Sequence, residues 1–260
     1  MIYGIILVYY PKYYLRAISE FKNFLNSISM DNKIIIVTNN QKLFKVGYED
    51  EIWVMGNNIN WDFSGWDSGA ETISDKLQEK DSIIFANDTF CHHNPWGKFE
   101  KLSAALTFKY NYKLNKLTPK PILSGHVLTF DQNFDILGNK SNVWVSTYLF
   151  MVSFKLFEIL DKKISIEEKL LSQSVNYSNS DQSLKWENIS PNLQEHINEW
   201  MFPKNIRNGW YNNDCDDIQI KIRKIKTIIN EKYIAAKCSS AGGRVIEFDF
   251  FRRLKRLIRK

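Results

Sequence analysis

The chain contains little cysteine and no long apolar run. Its 260 residues include three cysteines, which are far apart and odd in number. This usage is typical of reduced thiols in a cytosol, and it gives neither a disulfide framework nor the spacing of zinc ligands. No stretch reaches the roughly 18 apolar residues of a membrane-spanning helix, and the first residues lack a basic leader with a cleavage site. We therefore expect a cytoplasmic protein with one large α/β domain.

The chain also has little net charge outside its last 17 residues. It carries 35 basic and 29 acidic residues, a formal charge of +6. Residues 244–260 hold seven basic and two acidic side chains, net +5, so the other 243 residues contribute only +1. A nucleic-acid-binding surface spreads basic and aromatic residues along the fold. Residues 1–243 are nearly neutral, which disfavours a nucleic-acid-binding surface on the fold. The remaining form of this hypothesis is a protein that binds nucleic acid through its basic tail, and we keep it as the alternative function.

The basic tail has the pattern of an amphipathic helix. Its apolar residues recur on one helical face, at Phe250, Phe251, Leu254, Leu257 and Ile258. A basic helix with an apolar stripe is typical of a helix lying on an anionic membrane surface, and the alternative is a helix packed on the domain. Residues 218–230 indicate a second basic amphipathic helix. We expect residues 1–217 to form the domain and residues 218–260 a C-terminal helical extension that contacts an anionic membrane.

The N-terminal half alternates predicted strands and helices. Strands are predicted over residues 4–9, 33–38, 51–55 and 82–86, and helices over residues 15–28 and 68–77. This order, β-α-β-β-α-β, favours a mainly parallel sheet with helices on its faces.

The most informative segment is the end of the last of these strands. The apolar run 83–86 has the character of a strand buried on both faces, and it ends in Asn87, Asp88 and Thr89. In open α/β sheets, ligands bind beyond the carboxyl ends of such strands, where Asp88 is placed to hold a divalent cation or a sugar hydroxyl. The alternative is a strand end closed by an Asx-turn. Because other predicted strands also end in polar residues, we expect a nucleotide pocket at this edge.

Several segments, in this order and spacing, resemble those of GT-A glycosyltransferases. Residues 8–18, Val-Tyr-Tyr-Pro-Lys-Tyr-Tyr-Leu-Arg-Ala-Ile, look like the strand, loop and helix that open such enzymes. Asp62-Phe63-Ser-Gly-Trp66 and Asn87-Asp88-Thr89 are similar to segments of the rhamnan synthesis protein F group of surface-polysaccharide transferases, where Asn-Asp-Ser replaces the Asp-x-Asp of other relatives. Residues 144–151 look like the strand after that group's central loop. The resemblance covers about residues 1–155.

The resemblance implies a GT-A-like fold, that of nucleotide-diphospho-sugar transferases, and the corresponding activity. Such an enzyme moves a hexosyl or deoxyhexosyl group, with inversion, from a nucleotide-diphosphate donor to a polyprenyl-diphosphate-linked or other glycan acceptor. The implied setting is surface polysaccharide biosynthesis, of O-antigen, capsule or rhamnan, on the inner face of the plasma membrane. No nucleic acid is expected as a partner.

Glycosyl transfer needs positive charge near the diphosphate, because cleavage of the sugar–phosphate bond leaves negative charge there. Asp88 is the expected metal ligand, and Asn87 adds a neutral carbonyl; one or two carboxylates with substrate phosphates suit Mg²⁺ or Mn²⁺. This pair carries less charge than Asp-x-Asp, which leaves metal dependence open. If no metal binds, the basic candidates are Lys12, Arg16, Lys98 and Lys101.

The expected donor-binding residues combine strand ends with the segment from Asp62 to Gly69. They are Tyr9, Tyr10, Asp62, Gly65, Trp66, Asp67, Asn87, Asp88 and Thr89. Ordinary structural roles are the alternatives: Asp67 as a helix N-cap, Gly65 as a turn residue, and one of Trp61 and Trp66 in the core.

Other candidate site residues come from positions after the Asp88 segment. His126 and Trp96 are expected to face the site or the acceptor, and His126 has the alternative of bonding a backbone carbonyl. The general base that deprotonates the acceptor is expected to be Asp181 or Asp131, with Glu199 as a third acid. One sequence does not separate these three from surface acids.

Overall fold

A seven-stranded sheet forms the centre of the protein. The computed structural model describes residues 1–45, 51–178, 183–203, 209–210, 215 and 217–249. Its central strands are β1 (Ile2–Val8), β2 (Asn32–Thr38), β3 (Ile52–Met55), β4 (Ser82–Asn87), β5 (Ile122–Ile136), β6 (Asn139–Ser153) and β9 (Arg244–Glu247). Two further strands, β7 (Val175–Ser178) and β8 (Ser183–Trp186), pair separately. The helices are α1 (Tyr14–Ile28), α2 (Trp61–Glu71), α3 (Lys98–Asn115), α4 (Phe154–Ile159), α5 (Glu168–Ser174), α6 (Pro191–Met201) and α7 (Ile218–Ser240).

The central sheet is mostly parallel. Its strand order is β3-β2-β1-β4-β6-β5-β9. The strand β1 pairs in parallel with both β2 and β4, whereas β6 runs antiparallel to both of its neighbours. The expected α/β class with a mainly parallel sheet and flanking helices is therefore confirmed, and it is compatible with a Rossmann-like fold. The long β5–β6 hairpin was not predicted in this form.

The two faces of the sheet are covered by different helices. Alternating residues of one strand point to opposite faces, so Ile5 belongs to the core under α2 and α7 while Ile6 belongs to the core under α1 and α3. All seven residues of β1 are buried, because helices cover both sides of it. This double burial explains why the strands read as continuous apolar runs.

The helix α2 begins earlier than predicted, at Trp61 rather than Ser68. Two glycines one turn apart face the sheet and allow the close approach. A Cβ atom on Gly65 would lie 2.6 Å from the Leu7 Cδ1 atom, and one on Gly69 would lie 2.7 Å from methyl carbons of Ile5 and Val37. Close packing places the first turn of α2 beside the carboxyl ends of β1 and β4.

The C-terminal part joins the same core. The helix predicted over 218–230 is present and longer, since α7 continues to Ser240 and buries Ile225 and Ile229 against the sheet. Residues 244–247, which we expected in a helix, instead form β9, because they pair in parallel with the open edge of β5. Phe248 is 6% exposed. The remaining tail, residues 250–260, lies outside the described residues.

Among the helices in the described ranges, none combines the length and the hydropathy that crossing a bilayer requires.

Candidate active site

A cavity of about 500 Å³ opens at the carboxyl edge of the sheet. It is lined by residues that follow β1, β2 and β4, by the first turn of α2 and by one face of α7. Its volume falls within the range of about 300–1,000 Å³ of small-molecule sites. The position is where open α/β sheets bind ligands.

Asp88 lies at the bottom of this cavity, directly after β4. Its Oδ2 atom accepts hydrogen bonds from the backbone N–H groups of Tyr9 (2.8 Å) and Tyr10 (2.7 Å). The side chain is 2% exposed. Burial raises the pKa of Asp88 to about 6; the two N–H groups oppose this shift, and the Asp62 carboxylate adds to it. The carboxylate thus joins the ends of β1 and β4, and it holds its charge at an energetic cost.

Asp62 reaches the same place from the first turn of α2. Asn87 donates from its Nδ2 atom to Asp62 Oδ2 at 3.0 Å, and the Asn87 Oδ1 atom accepts from the Thr89 backbone and hydroxyl. Burial raises the pKa of Asp62, while the bond from Asn87 and the charge of Lys224 lower it. Two carboxylates with raised pKa values therefore share one cavity. This arrangement is typical of functional sites.

The opposite wall contains polar groups and an unusual backbone. The Asn39 Oδ1 atom, just after β2, is buried without a hydrogen-bond partner among the described residues, while its Nδ2 group donates to Asn58 and to the Trp61 carbonyl. Asn58 and Trp61 both have left-handed backbones, with φ of 53° and 49°. For a residue as large as tryptophan this conformation is uncommon and costs of order 1–3 kcal/mol, and such strain tends to cluster at binding sites.

Two tyrosines form the outer rim. The rings of Tyr9 and Tyr10 are 44% and 42% exposed and meet edge to face. Both line the cavity. Exposed rings beside polar strand ends offer flat apolar faces for a base or a sugar.

Lys224 of α7 is the cation that our sequence reasoning missed. It is partly buried, lines the cavity, and lies over the rings of Trp61 (5.9 Å) and Trp200 (5.4 Å). Burial lowers the pKa of Lys224, and the carboxylates of Glu231 and Asp62 oppose that shift. The four basic residues suggested from the sequence do not line the cavity; Lys101, for example, pairs with Glu20. The signal in the sequence was the polar face of the helix α7, which could have been expected to face the sheet edge.

A hard divalent cation would fit this donor set. Asp88 and Asp62 are two carboxylates whose pKa values burial raises, so a cation between them would relieve an unfavourable charge. Within the described ranges no group of three or more His, Cys, Asp or Glu forms a complete metal site. One or two carboxylates completed by substrate phosphates is the usual arrangement for Mg²⁺. Asp88 and Asp62 are the residues that would hold the ion, which would supply positive charge to a bound phosphate group.

Three expected donor-binding residues have structural positions instead. Trp66 is fully buried and donates from its indole N–H to the Ala86 carbonyl at 2.8 Å. Gly65 packs against Leu7, as described above. Asp67 accepts from the Ile164 N–H at 2.7 Å and from the Ser165 hydroxyl, so it fastens α2 to the loop before α5. Asp67 is also not a helix N-cap, because α2 begins six residues before it.

The expected site-facing residues also lie elsewhere. The Trp96 indole N–H donates to Glu20 at 3.2 Å and its ring packs on Phe24 and Phe90, between α1 and α3. His126 does not line the cavity; its Nδ1 atom lies 3.7 Å from the Oε1 atom of Glu247 on β9.

Among the expected bases, Asp131 is exposed on β5 and Glu199 is exposed on α6, and neither lines the cavity. Asp181 lies outside the described residues. Tyr9, Tyr10, Asp62, Asn87, Asp88 and Thr89 are the predicted residues that the fold brings together.

A second cavity, of about 400 Å³, adjoins the first. Lys224 and Thr227 line both, so the two cavities meet along α7. The second cavity has aromatic and apolar walls from β5, β6 and α6, and its charged groups are Glu231, Lys232 and Lys224. The two cavities together form one extended cleft.

No family model matches the chain, and no curated protein matches it.

Proposed function

We propose that this protein is a glycosyltransferase with a GT-A-like fold. It transfers a hexosyl or deoxyhexosyl group, with inversion, from a nucleotide-diphosphate donor to an oligosaccharide acceptor of bacterial surface polysaccharide biosynthesis. The observation that supports this most directly is the pair Asp88 and Asp62, joined through Asn87, in a cavity of ligand size at the carboxyl ends of the parallel strands. The sequence resemblance over residues 1–155 provides the chemical interpretation.

The proposed roles follow from position and charge. The nucleotide base and ribose lie between the tyrosine rim and Asn39, whose buried Oδ1 atom has no hydrogen-bond partner in the part of the chain that the structure describes. The diphosphate lies toward Lys224, the cation between the two cavities, and Asp88 and Asp62 hold the sugar hydroxyls or a divalent ion. A fixed positive charge in a partly dry site stabilises negative charge that develops as the bond breaks.

Glu231 is the acid that we assign to the acceptor proton. It lines the second cavity, and its Oε2 atom accepts from the Thr147 N–H (3.2 Å) and hydroxyl (2.9 Å). These bonds fix the orientation of the carboxylate beside the space where an acceptor hydroxyl would lie. A positioned carboxylate is the usual base for such a deprotonation.

The described residues also offer a surface for an anionic membrane. On α3, Leu102, Leu106 and Tyr110 follow one another at four-residue spacing and are 57%, 58% and 55% exposed. Lysines lie beside this apolar ridge, at 98, 109, 113 and 116. Apolar side chains next to cations match a bilayer surface with anionic headgroups, and a lipid-linked acceptor would bring the enzyme there.

A nucleotide screen tests the proposed function. Thermal unfolding is measured with UDP, GDP, dTDP and CMP, each with and without Mn²⁺. A nucleotide at 100 times its dissociation constant adds about 2.7 kcal/mol to the free energy of unfolding. We expect one nucleotide to stabilise the wild type, and its sugar conjugates to support transfer that Asp88→Ala abolishes and the exposed control Asp75→Ala retains.

Two results would contradict the proposal. If no nucleotide stabilises the protein, the cavity is not a donor site. If duplex or single-stranded nucleic acid binds instead, in a manner that falls with salt, the basic-tail alternative gains the support.

A further inference from the structure

The second cavity contains a buried ammonium group. Lys232 of α7 is 3% exposed, and its Nζ atom lies 4.2 Å from the centre of the Trp144 ring. Within the described residues, no hydrogen bond or ion pair holds this ammonium. Burial lowers the pKa of Lys232 to about 8; the Glu231 carboxylate opposes this shift and Lys224 adds to it. A buried ammonium with so few partners is costly.

The helix α7 aims a whole polar face into the cleft. Thr227, Glu231 and Lys232 follow Lys224 by three, seven and eight residues, which are helical spacings, and all four line the second cavity. Across from them, the β5–β6 pairing shifts between Gly125–Phe150 and His126–Ser146, leaving β6 residues without partners on β5. One of these is Thr147, whose freed N–H bonds Glu231.

The charges in this cavity favour an anionic ligand. Two ammonium groups, Lys224 and Lys232, face one carboxylate, Glu231. Lys224 also lines the first cavity, together with the carboxylates of Asp62 and Asp88, so Lys232 is the ammonium group that belongs to the second cavity and not to the first. Burial also lowers the pKa of His196, as does the charge of Lys232, so the environment favours the neutral ring and His196 adds no further cation. The lining of the second cavity thus contains two ammonium groups and one carboxylate, an arrangement that suits a ligand with a negative group.

The walls favour a flat, partly apolar ring. The indoles of Trp144 and Trp200 and the aliphatic side chains of Leu128 and Ile197 surround the charged groups. The volume of 400 Å³ suits a small ligand group better than an entire nucleotide-sugar. A sugar ring presents apolar C–H faces to indoles and hydroxyls to a carboxylate and to Ser146.

We infer that the second cavity binds an acidic sugar unit, one that carries a carboxylate or phosphate group, with this anion at the Lys232 ammonium and the ring between Trp144 and Trp200. This inference rests on the proposed function for the sugar's role, as the acidic part of either the donor or the acceptor. The inference goes beyond the proposed function because it names the class of sugar, an acidic one, which neither the sequence motifs nor Asp88 indicate.

Binding measurements with defined sugars test the inference. D-Glucuronate, D-galacturonate and D-glucose 6-phosphate are titrated into the wild type by calorimetry, beside neutral D-glucose and D-galactose. UDP-glucuronate and UDP-glucose are titrated in a second arm of the experiment. This arm distinguishes an acidic sugar carried by the donor from an acidic sugar of the acceptor. We expect at least one acidic sugar to bind about tenfold or more tightly than its neutral counterpart.

Two substitutions on the same helix give a matched comparison. Lys232→Met keeps a side chain of similar length and removes the charge. It should therefore abolish the preference for the acidic sugar and leave the affinity for neutral sugars unchanged. Lys237→Met is the control, because Lys237 also lies over an aromatic ring, Tyr233, but lines neither cavity. Equal binding of acidic and neutral sugars by the wild type, or an unchanged preference in Lys232→Met, would overturn the inference.

A measurement on the unaltered chain guards against a variant that fails to fold. The pKa of Lys232 is followed by NMR of ¹³C-labelled lysine with and without the acidic sugar. A bound anion should raise this pKa above about 8, whereas D-glucose should not. No rise at saturation contradicts the inference. Nucleotide binding without an acid preference defeats this inference alone; acidic-sugar binding without nucleotide binding defeats the donor assignment alone.

Discussion

Replacing Asp88 by asparagine should stabilise the protein while removing its activity. Burial raises the pKa of Asp88 to about 6 from an ordinary value of 3.8. A folded state that binds the proton more tightly than the unfolded chain is fully stable only below about pH 3.8, and it loses stability as the pH rises to 6. At about 1.36 kcal/mol per pH unit, the charged carboxylate costs about 3 kcal/mol above pH 6.

Asparagine imitates the protonated acid and retains an oxygen for the Tyr9 and Tyr10 N–H groups. Asp88→Asn should therefore be more stable than the wild type by about 3 kcal/mol at pH 7.5, on the order of 6 °C in melting temperature. The gain should shrink to about 1 kcal/mol near pH 4.5, where the wild-type acid is largely protonated. Urea unfolding at pH 4.5, 5.5, 6.5 and 7.5 measures this trend.

Asp75→Asn is the matched control, because Asp75 is exposed and its exchange should leave stability within about 0.5 kcal/mol. If Asp88→Asn is less stable than the wild type at every pH, the carboxylate serves the fold and our reasoning fails. A gain in stability together with lost transfer is the expected trade between stability and function.

Other predictions concern the cation, the helix packing and the membrane. Lys224→Met should lower kcat about 100-fold or more, since it removes a fixed positive charge beside the leaving group. Lys221→Met, on the same helix, should leave kcat unchanged, and equal kcat values for the two variants would exclude this role of Lys224. Gly69→Ala should lower the free energy of unfolding in urea by about 1–3 kcal/mol, because its Cβ atom would meet Ile5 and Val37 at 2.7 Å, and an unchanged value would contradict the close packing. The double variant Leu102→Glu, Leu106→Glu should stay folded by circular dichroism and lose retention on anionic liposomes; unaltered retention would place the membrane contact elsewhere.

The position of β9 also changes what a truncation should do. A chain cut before Phe248 should lose stability, because the Phe248 carbonyl accepts hydrogen bonds from Ser103 (2.9 Å) and Thr107 (3.3 Å) and its ring packs on Phe108. A cut at this point removes part of the core under α3. A cut after Asp249 retains every described element and is the better test of the basic tail.

Local pattern was enough for the N-terminal strands. The apolar runs that became β1, β2, β3 and β4 are short, end in polar residues, and lie on both sides of a helix with three-and-four spacing. Such order implies a parallel sheet, and the carboxyl ends of parallel strands meet at one edge. That geometry brought Tyr9, Asn87 and Asp88 into one cavity as the sequence predicted.

Tertiary packing decided what local pattern leaves ambiguous. Trp61 and Trp66 stand in the same aromatic segment, but their five-residue separation places them about 140° apart around α2, so Trp61 lines the cavity and Trp66 lies in the core. Residues 244–247 fit a basic helix by their neighbours, yet the open edge of β5 offered backbone partners, and pairing along that edge gave a strand.

The sequence by itself determined the class of fold and the acid at the end of β4, because both depend on contacts between residues near in the chain or on the rule that parallel strands end together. Only the tertiary structure decided the charge of the cleft. Lys224, Glu231 and Lys232 lie more than 130 residues beyond Asp88, on a helix whose polar face looked solvated in sequence. Which face of a helix meets a sheet edge depends on the packing of its apolar side, here Ile225 and Ile229 against the core, and that contact turns the lysines into the cleft.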